Sequence, residues 1–372
     1  MNVLILSWRG PGHPNAGGAE QVTLEHAKGW VKAGHEVTLF TSFFKGAKKE
    51  DLINGVKIIR IGRQFFGVQI NAFFWYLFGK HQKFDLVIDE FHGIPFFTPF
   101  YIRARKIALI HEVARDVWKL NPWPKPFNLI PSFFGTMLEP WIFRIFYRKI
   151  PFMTVSNSTK DDLLGWGIPK SSITVIHNGV KLYLPKKILA KESKRTAMYL
   201  GAISEDKGTF DVVKAFGEIE RKDDAWQYWI VGLGSKEYLE RIRHNSEVLG
   251  ISGKLKYWGY VSDRKKFELL SKAHILINTS VHEGWGLVNI EANSVGTPVI
   301  GYNVHGLRDS VKSETTGVLV QKGNYHALAE EVLKLSREKE RYERLQKNAI
   351  RWSKKFTWEK AIRESLKLIE SQ

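Results

Sequence analysis

The chain of 372 residues contains no cysteine, which excludes disulfide bonds, thiolate metal sites and a cysteine nucleophile. It also has no apolar run of the roughly 18 residues that a membrane-spanning helix needs. Met1–Ser7 has the length and composition of a strand and no basic leader, so we expect no signal peptide. These absences suit a reducing compartment, and we expect a cytoplasmic location.

Negative charge is scarce: the chain has 38 acidic and 56 basic residues, and the formal net charge is +18. The simplest interpretation is a solvated basic surface, which affects solubility rather than fold. Affinity for an anionic membrane surface ranks second. Nucleic acid ranks a distant third and is not expected as a partner, because the sequence carries none of the known nucleic-acid-binding motifs.

Short strand-like segments alternate with helical segments along the whole chain, which predicts α/β domains with parallel, doubly wound sheets. The alternation pauses at Lys181–Arg195, and the length of the chain suggests two domains. One helix is predicted at Ala19–Ala33. The predicted strands are Asn2–Trp8, His35–Ser42, Val56–Ile61, Phe84–Asp89, Lys106–His111, Phe152–Ser156, Thr196–Leu200, Tyr228–Val231, Leu255–Tyr260, Ile275–Thr279, Val299–Tyr302 and Gly317–Val320.

Two stretches, Gln64–Lys80 and Asn121–Lys149, are unusually rich in aromatic residues. Helices that pack on a sheet are the favoured interpretation for most of these residues. Because basic residues are interspersed with the aromatic ones, a helix lying in a membrane interface is the minority interpretation. Helical spacing in the second stretch is shown by Leu138, Trp141, Ile142 and Ile145.

The most informative segment follows the predicted strand Ile275–Thr279 and places Glu283 and Glu291 on either side of a glycine turn, Gly284–Gly286. A glycine turn that opens a helix exposes backbone N–H groups, which favour phosphate. Ionised carboxylates only accept hydrogen bonds, so they suit hydroxyl groups. Phosphate flanked by hydroxyl groups describes a nucleotide-sugar. The alternative is two surface glutamates beside an ordinary turn.

Three other positions carry candidate ligand groups. Gly17 and Gly18 open the first helix and can present amides to a ligand, whereas the alternative is a plain loop; the glycine spacing does not match a dinucleotide fingerprint. Lys207, beside Gly208, suits a diphosphate as a point charge, although chance placement among so many basic residues competes. His111 ends a strand, where α/β sheets bind ligands, but a lone histidine is more often structural.

Metal-binding patterns are missing from the sequence, which has no Asp-x-Asp pair and no His/Glu cluster with ligand spacing. We therefore expect no metal and no cofactor. Helix amides and Lys207 would have to stabilise the negative charge of a departing diphosphate.

Taken together, the motifs resemble those of the family 4 glycosyltransferases of the GT-B fold, and the resemblance covers nearly the whole chain. It implies an α/β architecture of two Rossmann-like doubly wound domains that face each other across a cleft, and transfer with retention of configuration. The motifs that carry it are Gly17–Glu20, His111, Val155–Ser158, Val175–Val180, Lys207–Gly208, Glu283-x7-Glu291 and Thr316–Val320.

By this resemblance, residues 1–185 would form an acceptor-binding domain and residues 186–356 a nucleotide-sugar-binding domain, while residues 357–372 would form a helix that crosses back to the first domain. Glu283 would contact donor-sugar hydroxyls and His111 would lie beside the transferred sugar. Lys207 would pair with the diphosphate. The remaining implied ligands are Gly17 and Gly18 near the distal phosphate, Gly286, Leu287 and Val288 at the sugar and diphosphate, Glu291 at the ribose, and Tyr260 and Val261 at the base.

Two departures from the family pattern stand out. The family usually has Arg where this chain has Ala202, so a cation for the diphosphate is missing. At His305–Asp309, a Gly-Gly pair followed by Pro-Glu is commoner.

The expected function is therefore retaining transfer of a hexose from a UDP- or GDP-sugar to a hydroxyl acceptor. The aromatic and basic stretches add the hypothesis of a lipid-linked acceptor, or a growing glycan, and of peripheral attachment to the cytoplasmic face of a membrane. The alternatives are a non-catalytic protein that binds polyanions or membranes, and an enzyme that hydrolyses or epimerises nucleotide-sugars.

Overall fold

The computed structural model describes residues 1–64, 67–115, 118, 126–180 and 190–372. The chain forms two compact units, residues 1–179 with 357–372, and residues 180–356. The predicted boundary between residues 185 and 186 lies outside the described residues, as does most of the pause predicted at Lys181–Arg195. The same holds for parts of the two aromatic stretches, namely residues 65–66 and 121–125.

Within the described ranges, helices and strands alternate as the sequence predicts. The strands are β1 Asn2–Ser7, β2 Glu36–Thr41, β3 Glu50–Ile53, β4 Val56–Arg60, β5 Leu86–Glu90, β6 Arg105–Ile110, β7 Phe152–Thr154, β8 Ile173–Val175, β9 Arg195–Leu200, β10 Trp226–Val231, β11 Leu255–Gly259, β12 Ile275–Asn278, β13 Val299–Tyr302 and β14 Gly317–Val320. The helices are α1 Gly18–Lys32, α2 Gly67–Phe78, α3 Leu129–Ile142, α4 Asn157–Gly165, α5 Thr209–Lys222, α6 Lys236–Val248, α7 Asp263–Lys272, α8 Leu287–Ser294, α9 Leu307–Ser310, α10 Tyr325–Arg337, α11 Lys339–Ser353 and α12 Trp358–Glu370.

The first unit is built on an eight-stranded sheet in the order β3-β4-β2-β1-β5-β6-β7-β8. All neighbouring pairs are parallel except β3 and β4, which form an antiparallel hairpin. Asn54 and Gly55 turn this hairpin with φ of 51° and 83°, as a tight two-residue turn requires. The hairpin strand β3 and the short strand β8 were not predicted. The sheet order reverses at β1, which lies between β2 and β5.

The second unit is built on a six-stranded, all-parallel sheet in the order β11-β10-β9-β12-β13-β14. Its order reverses between β9 and β12. Ligands of open α/β sheets bind beyond the carboxyl ends of the strands at such a reversal. The topology therefore directs attention to the loops that follow β9 and β12 in this unit, and β1, β5 and β6 in the first.

Helix α12 returns to the first unit, where it packs closely on α1. A Cβ added at Gly29 would lie 2.3 Å from the Ile362 side chain, so only glycine permits this approach. The Ser365 hydroxyl lies 2.9 Å from both His26 Nδ1 and Trp30 Nε1, which bonds the two helices through buried groups.

The aromatic stretches form helices, but their packing on the sheet is only partial. In α2, only Val68 and Ala72 are buried. In α3, Leu138 and Trp141 are exposed, so the favoured prediction that these residues pack on the sheet is wrong for them. Beyond α3 the chain continues as a π-helical turn, Phe143–Tyr147, whose Phe143 is buried while Ile145 is exposed. None of the helices in the described ranges has the length and apolar character that a bilayer crossing requires.

Candidate functional site

The loops after β9 and β12 are joined by direct hydrogen bonds. Thr279 Oγ1 donates to the carbonyl oxygens of Lys207 and Gly208, at 3.1 and 2.9 Å. The Val281 amide donates to the Asp206 carbonyl at 2.8 Å. Gly208 has φ +64°, and a Cβ there would lie 2.2 Å from the Thr279 carbonyl oxygen, so glycine is required for this contact. The two loops therefore form one surface at the sheet reversal.

This arrangement brings together Lys207 and Glu283, two of the predicted site residues. Lys207 Nζ lies 2.7 Å from Glu283 Oε1, which also accepts a hydrogen bond from Ser280 Oγ at 2.9 Å. Both charged side chains are half-buried, with 26% and 19% of their surfaces exposed. A half-buried ion pair in a glycine-rich loop offers a ligand one cation and one acceptor of hydrogen bonds.

Gly286 caps helix α8 in the left-handed conformation, with φ 76° and ψ 60°. A Cβ there would lie 2.7 Å from Asn289 Nδ2. The first amides of a helix have no acceptor within it, so Leu287 and Val288, the first two residues of α8, present N–H groups at its positive end. The predicted amide donors are thus residues of one helix N-terminus.

A buried amide network holds α8 in place. Asn278 Nδ2 donates to Asn289 Oδ1, and Asn289 Nδ2 donates to Ser310 Oγ, both at 2.9 Å. The Ser280 amide donates to Asn278 Oδ1 at 3.1 Å. Sequence reasoning missed these residues, although a polar Asn278 at the end of an apolar strand was a signal for them.

Glu291 lies on α8 and pairs with a residue that the sequence analysis did not single out. Lys266 Nζ, on α7, lies 2.6 Å from Glu291 Oε1 and 3.3 Å from Asp263 Oδ1. Burial raises the pKa of Glu291, and the ammonium of Lys266 opposes this shift. Tyr260 and Val261 lie after β11 and just before α7; Tyr260 is 79% exposed, whereas Val261 packs against the core.

The two departures from the family pattern have local structural consequences. The carbonyl of Ala202, which stands in place of the usual Arg, accepts a hydrogen bond from the Tyr199 hydroxyl at 2.6 Å. Gly306 has φ 75°, and a Cβ there would lie 2.0 Å from the Glu283 carbonyl oxygen. The His305–Asp309 segment thus keeps the glycine that lets its backbone approach the Glu283 loop.

In the first unit, Gly17 and Gly18 lie at the exposed N-terminus of α1. The Gly17 amide donates to Glu20 Oε2 at 2.6 Å, and Arg9 Nε lies 2.7 Å from Glu20 Oε1. Apart from its two chain neighbours, no atom of the described residues lies closer than 3.8 Å to a Cβ placed at Gly17. Contacts within the unit therefore do not demand a glycine at this position.

His111 is part of a hydrogen-bonded cluster at the carboxyl ends of β5 and β6. Its Nε2 lies 3.1 Å from Glu90 Oε1, which also accepts a hydrogen bond from Thr23 Oγ1, on α1, at 2.6 Å. The second Glu90 oxygen is buried and has no hydrogen-bond partner among the described residues. Sequence reasoning missed Glu90 and Thr23, because only the parallel pairing of β5 with β6 places Glu90 beside His111.

In the part of the chain that the structure describes, no three His, Asp or Glu side chains are grouped so that they could hold a metal ion.

Two family models match successive parts of the chain: "Glycosyltransferase Family 4" matches residues 16–183, and "Glycosyl transferases group 1" matches residues 182–352. Together they run through both units. The chain is a glycosyltransferase, and both of its units resemble family 4. This establishes the family resemblance and the enzyme class predicted from the sequence. The alternative of a non-catalytic binding protein is therefore set aside.

Named relatives agree with this glycosyltransferase assignment. The chain is 25% identical to an uncharacterized glycosyltransferase, MJ1607, of Methanocaldococcus jannaschii, over 88% of this chain and 87% of the relative. It is 24% identical to the GDP-mannose:cellobiosyl-diphosphopolyprenol alpha-mannosyltransferase of Xanthomonas campestris, over 87% and 85%.

A solved structure establishes the fold of this glycosyltransferase. Anabaena Alr3699/HepE in complex with UDP-glucose superimposes with a TM-score of 0.75 at 16% identity, and the match covers all of both chains. The predicted α/β GT-B fold class is confirmed. The individual site residues stay predictions, whose positions are those described above.

Proposed function

We propose that this glycosyltransferase transfers a hexose from a nucleotide-sugar to a hydroxyl acceptor, with retention of configuration and without a metal ion. The observation that supports it most directly is the convergence of Lys207, Glu283 and the N-terminus of α8 in the second unit. One cation, one hydrogen-bond-accepting carboxylate and free helix amides match the diphosphate and the sugar hydroxyls of such a donor.

Each group has a defined part in this proposal. The amides of Gly286, Leu287 and Val288 and the ammonium of Lys207 stabilise the negative charge that develops on the departing diphosphate. Glu283 accepts hydrogen bonds from the sugar hydroxyls. Glu283 neutralises Lys207 at 2.7 Å, so donor binding replaces an existing ion pair rather than filling an unpaired charge site.

Glu291 accepts hydrogen bonds from the ribose hydroxyls, and Lys266, on α7, pairs with its carboxylate at 2.6 Å. Tyr260 and Val261 lie at the base of the nucleotide.

We propose residues 186–356 as the donor-binding domain and residues 1–185 as the acceptor-binding domain, followed by the helix at 357–372. In the first unit, Gly17 and Gly18 approach the distal phosphate and His111 lies beside the transferred sugar.

Donor identity is tested by incubating the enzyme with UDP- and GDP-hexoses, with and without acceptor, and by measuring the nucleoside diphosphate released. A GDP-mannose-using relative and a UDP-glucose complex of a structural neighbour are the reasons for including both nucleotides. We expect release that depends on acceptor, unchanged by EDTA. Equal release without acceptor would instead establish a nucleotide-sugar hydrolase, and loss of turnover in EDTA would contradict a metal-free mechanism.

Retention is read from the anomeric configuration of the product by NMR: an α-linked product from an α-linked donor supports it, and a β-linked product contradicts it.

For the acceptor we propose a lipid-linked glycan, supported by a relative named for a diphosphopolyprenol-linked acceptor. The same glycan offered free and on a polyprenyl diphosphate distinguishes the two, and faster turnover of the free glycan contradicts the lipid-linked acceptor. We propose a cytoplasmic location, since the chain has no cysteine.

A further inference from the structure

Three segments of the first unit expose large apolar side chains: α2, the turn Thr98–Phe100, and the continuous helical run from α3 through Phe143–Tyr147. We call the exposed apolar side chains of these segments the aromatic surface. Among its members with more than half of their surface exposed are Phe74, Phe78, Phe100, Phe133, Trp141 and Ile145.

Ring contacts make the aromatic surface continuous rather than scattered. Phe73, on α2, lies with its ring centroid 5.0 Å from that of Tyr101. The neighbouring Phe100 ring lies 4.7 Å from Phe146, in the π-helical turn that continues α3. Large continuous apolar patches are rare on soluble monomers and mark interaction sites.

The exposed charged residues of the segments that carry the aromatic surface all have one sign. Across residues 67–80, 97–105 and 126–149, Glu139 is the only acidic residue. It is buried, and its carboxylate accepts hydrogen bonds from the Ala114 amide and Trp118 Nε1 on the inner side of α3. The basic residues of the same segments are all exposed: Lys80, Arg103, Arg105, Arg144, Arg148 and Lys149.

We propose that the aromatic surface docks on an anionic phospholipid bilayer. Its phenylalanine, tryptophan and aliphatic side chains enter the headgroup boundary, and the surrounding arginine and lysine residues bind lipid phosphates. The inference goes beyond the transfer reaction, because bilayer binding requires neither donor nor acceptor. It also gives the enzyme a fixed orientation on the membrane, with the first unit against the lipid.

The charge pattern favours a bilayer over a second copy of the chain. Two copies that met through this surface would bring exposed basic residues of these segments against one another, without an exposed carboxylate from these segments to pair with them. An anionic bilayer supplies both the apolar layer and the opposite charge.

The test is co-sedimentation of the full-length protein with vesicles of phosphatidylcholine and phosphatidylglycerol in equal parts, and with vesicles of phosphatidylcholine alone. We expect wild type to bind the anionic vesicles, to bind neutral ones less, and to be released by salt. The double variant Phe74→Ser, Phe78→Ser, and the triple variant Arg144→Glu, Arg148→Glu, Lys149→Glu, should each weaken binding about tenfold or more.

Matched controls come from elsewhere on the chain. Leu52→Ser and Val248→Ser remove apolar side chains of comparable exposure, 71% and 72%, outside the aromatic surface. Lys236→Glu, Lys339→Glu and Lys347→Glu together reverse the same number of exposed charges. Both sets should bind as wild type does, and thermal unfolding confirms that each variant is folded.

Three results would overturn the proposal. Wild type that stays in the supernatant with anionic vesicles at low salt contradicts it outright. Surface variants that bind as tightly as the controls would place the lipid contact elsewhere. The third result combines two measurements: the wild type does not bind vesicles, and sedimentation velocity shows a dimer that Phe74→Ser and Phe78→Ser convert to a monomer. This result would assign the surface to a second copy of the chain instead.

Discussion

At the scale of single residues, the Lys207–Glu283 pair is the most direct target. Glu283→Gln keeps the size of the side chain but removes the charge that meets Lys207 Nζ at 2.7 Å. We expect kcat/KM for transfer to fall by about 10²–10³, comparable to the loss of one preorganised hydrogen-bonding group at a reacting centre. Lys207→Ala should lose a similar factor, because a cation for the leaving diphosphate disappears.

Steady-state kinetics with the best donor and acceptor measure this loss. Glu268→Gln, which breaks a lysine pair on α7 instead, is the matched control and should keep full activity. Turnover at the wild-type rate by purified, folded Glu283→Gln and Lys207→Ala would remove both residues from the active site.

Glu90 gives a second prediction at this scale, as a residue that positions His111. Its Oε1 lies 3.1 Å from His111 Nε2, and its other oxygen is buried without a partner in the described part of the chain. Glu90→Gln keeps the size of the side chain but replaces the carboxylate oxygen that hydrogen-bonds the His111 ring with a weaker amide acceptor. We expect a lower kcat, because the His111 ring loses the acceptor that orients it.

Donor affinity separates this role from a general loss of structure. The melting-point shift caused by the donor should stay as in wild type, because Glu90 has no part in the donor site that we propose. A Glu90→Gln variant that loses kcat and the donor-induced melting-point shift together would make Glu90 merely structural. The exposed Glu36→Gln, on the same unit, is the control and should change neither quantity.

Residue types and local spacing were enough to single out Lys207, Glu283 and Glu291, because glycine turns after apolar strands are visible in the sequence. The partners of these residues could not be singled out in the same way, since each partner comes from a distant segment of the sequence. Lys266 meets Glu291 only because α7 packs beside α8, and Glu90 meets His111 only because β5 pairs with β6. Long-range pairing of this kind leaves no local pattern.

At the scale of secondary-structure elements, the cap of α8 is the decisive feature. Gly286→Ala would force an L-residue into φ 76° and place its Cβ 2.7 Å from Asn289 Nδ2. The left-handed conformation alone costs about 1–2 kcal/mol, and the clash disturbs the Asn278–Asn289 network. We expect a lower melting temperature and a raised KM for the donor.

Urea unfolding and donor titration measure the two effects of Gly286→Ala. Gly250→Ala, also at positive φ but with open space around its Cβ, is the matched control for backbone strain. It should lose stability without a change in donor KM. If both variants shift donor KM equally, the cap has no special part in donor binding.

Elements were predicted well where apolar periodicity is strong and poorly where context decides. The predicted strands of both sheets are present, whereas β3 was missed because only its hairpin with β4 makes it a strand. The helical spacing of apolar residues correctly predicted a helix at α3, but it did not predict which side chains of that helix pack against the core. Trp141 and Ile142 are neighbours on α3, yet Trp141 is exposed and Ile142 packs against the core.

At the scale of the whole molecule, the alternating pattern predicted two α/β domains, because each βαβ unit carries its own signature. It did not predict the strand order, which determines where ligands bind. The reversal between β9 and β12 is what joins the Lys207 and Glu283 loops, across 76 residues of sequence. Local motifs therefore indicate the candidate site residues, and the strand order determines which of them lie close together.

Each unit also contains a histidine whose burial makes the stability of the molecule depend on pH. Burial lowers the pKa of His26, in the first unit, to about 3, with a further contribution from His111. Burial likewise lowers the pKa of His274, in the second unit, to about 4. His274 Nδ1 accepts a hydrogen bond from the Thr196 amide at 3.1 Å, which the neutral ring permits.

Because both histidines take up a proton more readily in the unfolded chain, stability is complete above the ordinary histidine pKa of about 6.5 and is lost as the pH falls toward 4 and 3. Each can contribute up to about 1.4 kcal/mol per pH unit across its window. His26→Asn and His274→Asn should each flatten the dependence of the free energy of unfolding on pH between about 4 and 6, measured by urea titration. His244→Asn, at an exposed position, should leave the slope unchanged, and equal slopes in all three variants would exclude buried histidines as the cause.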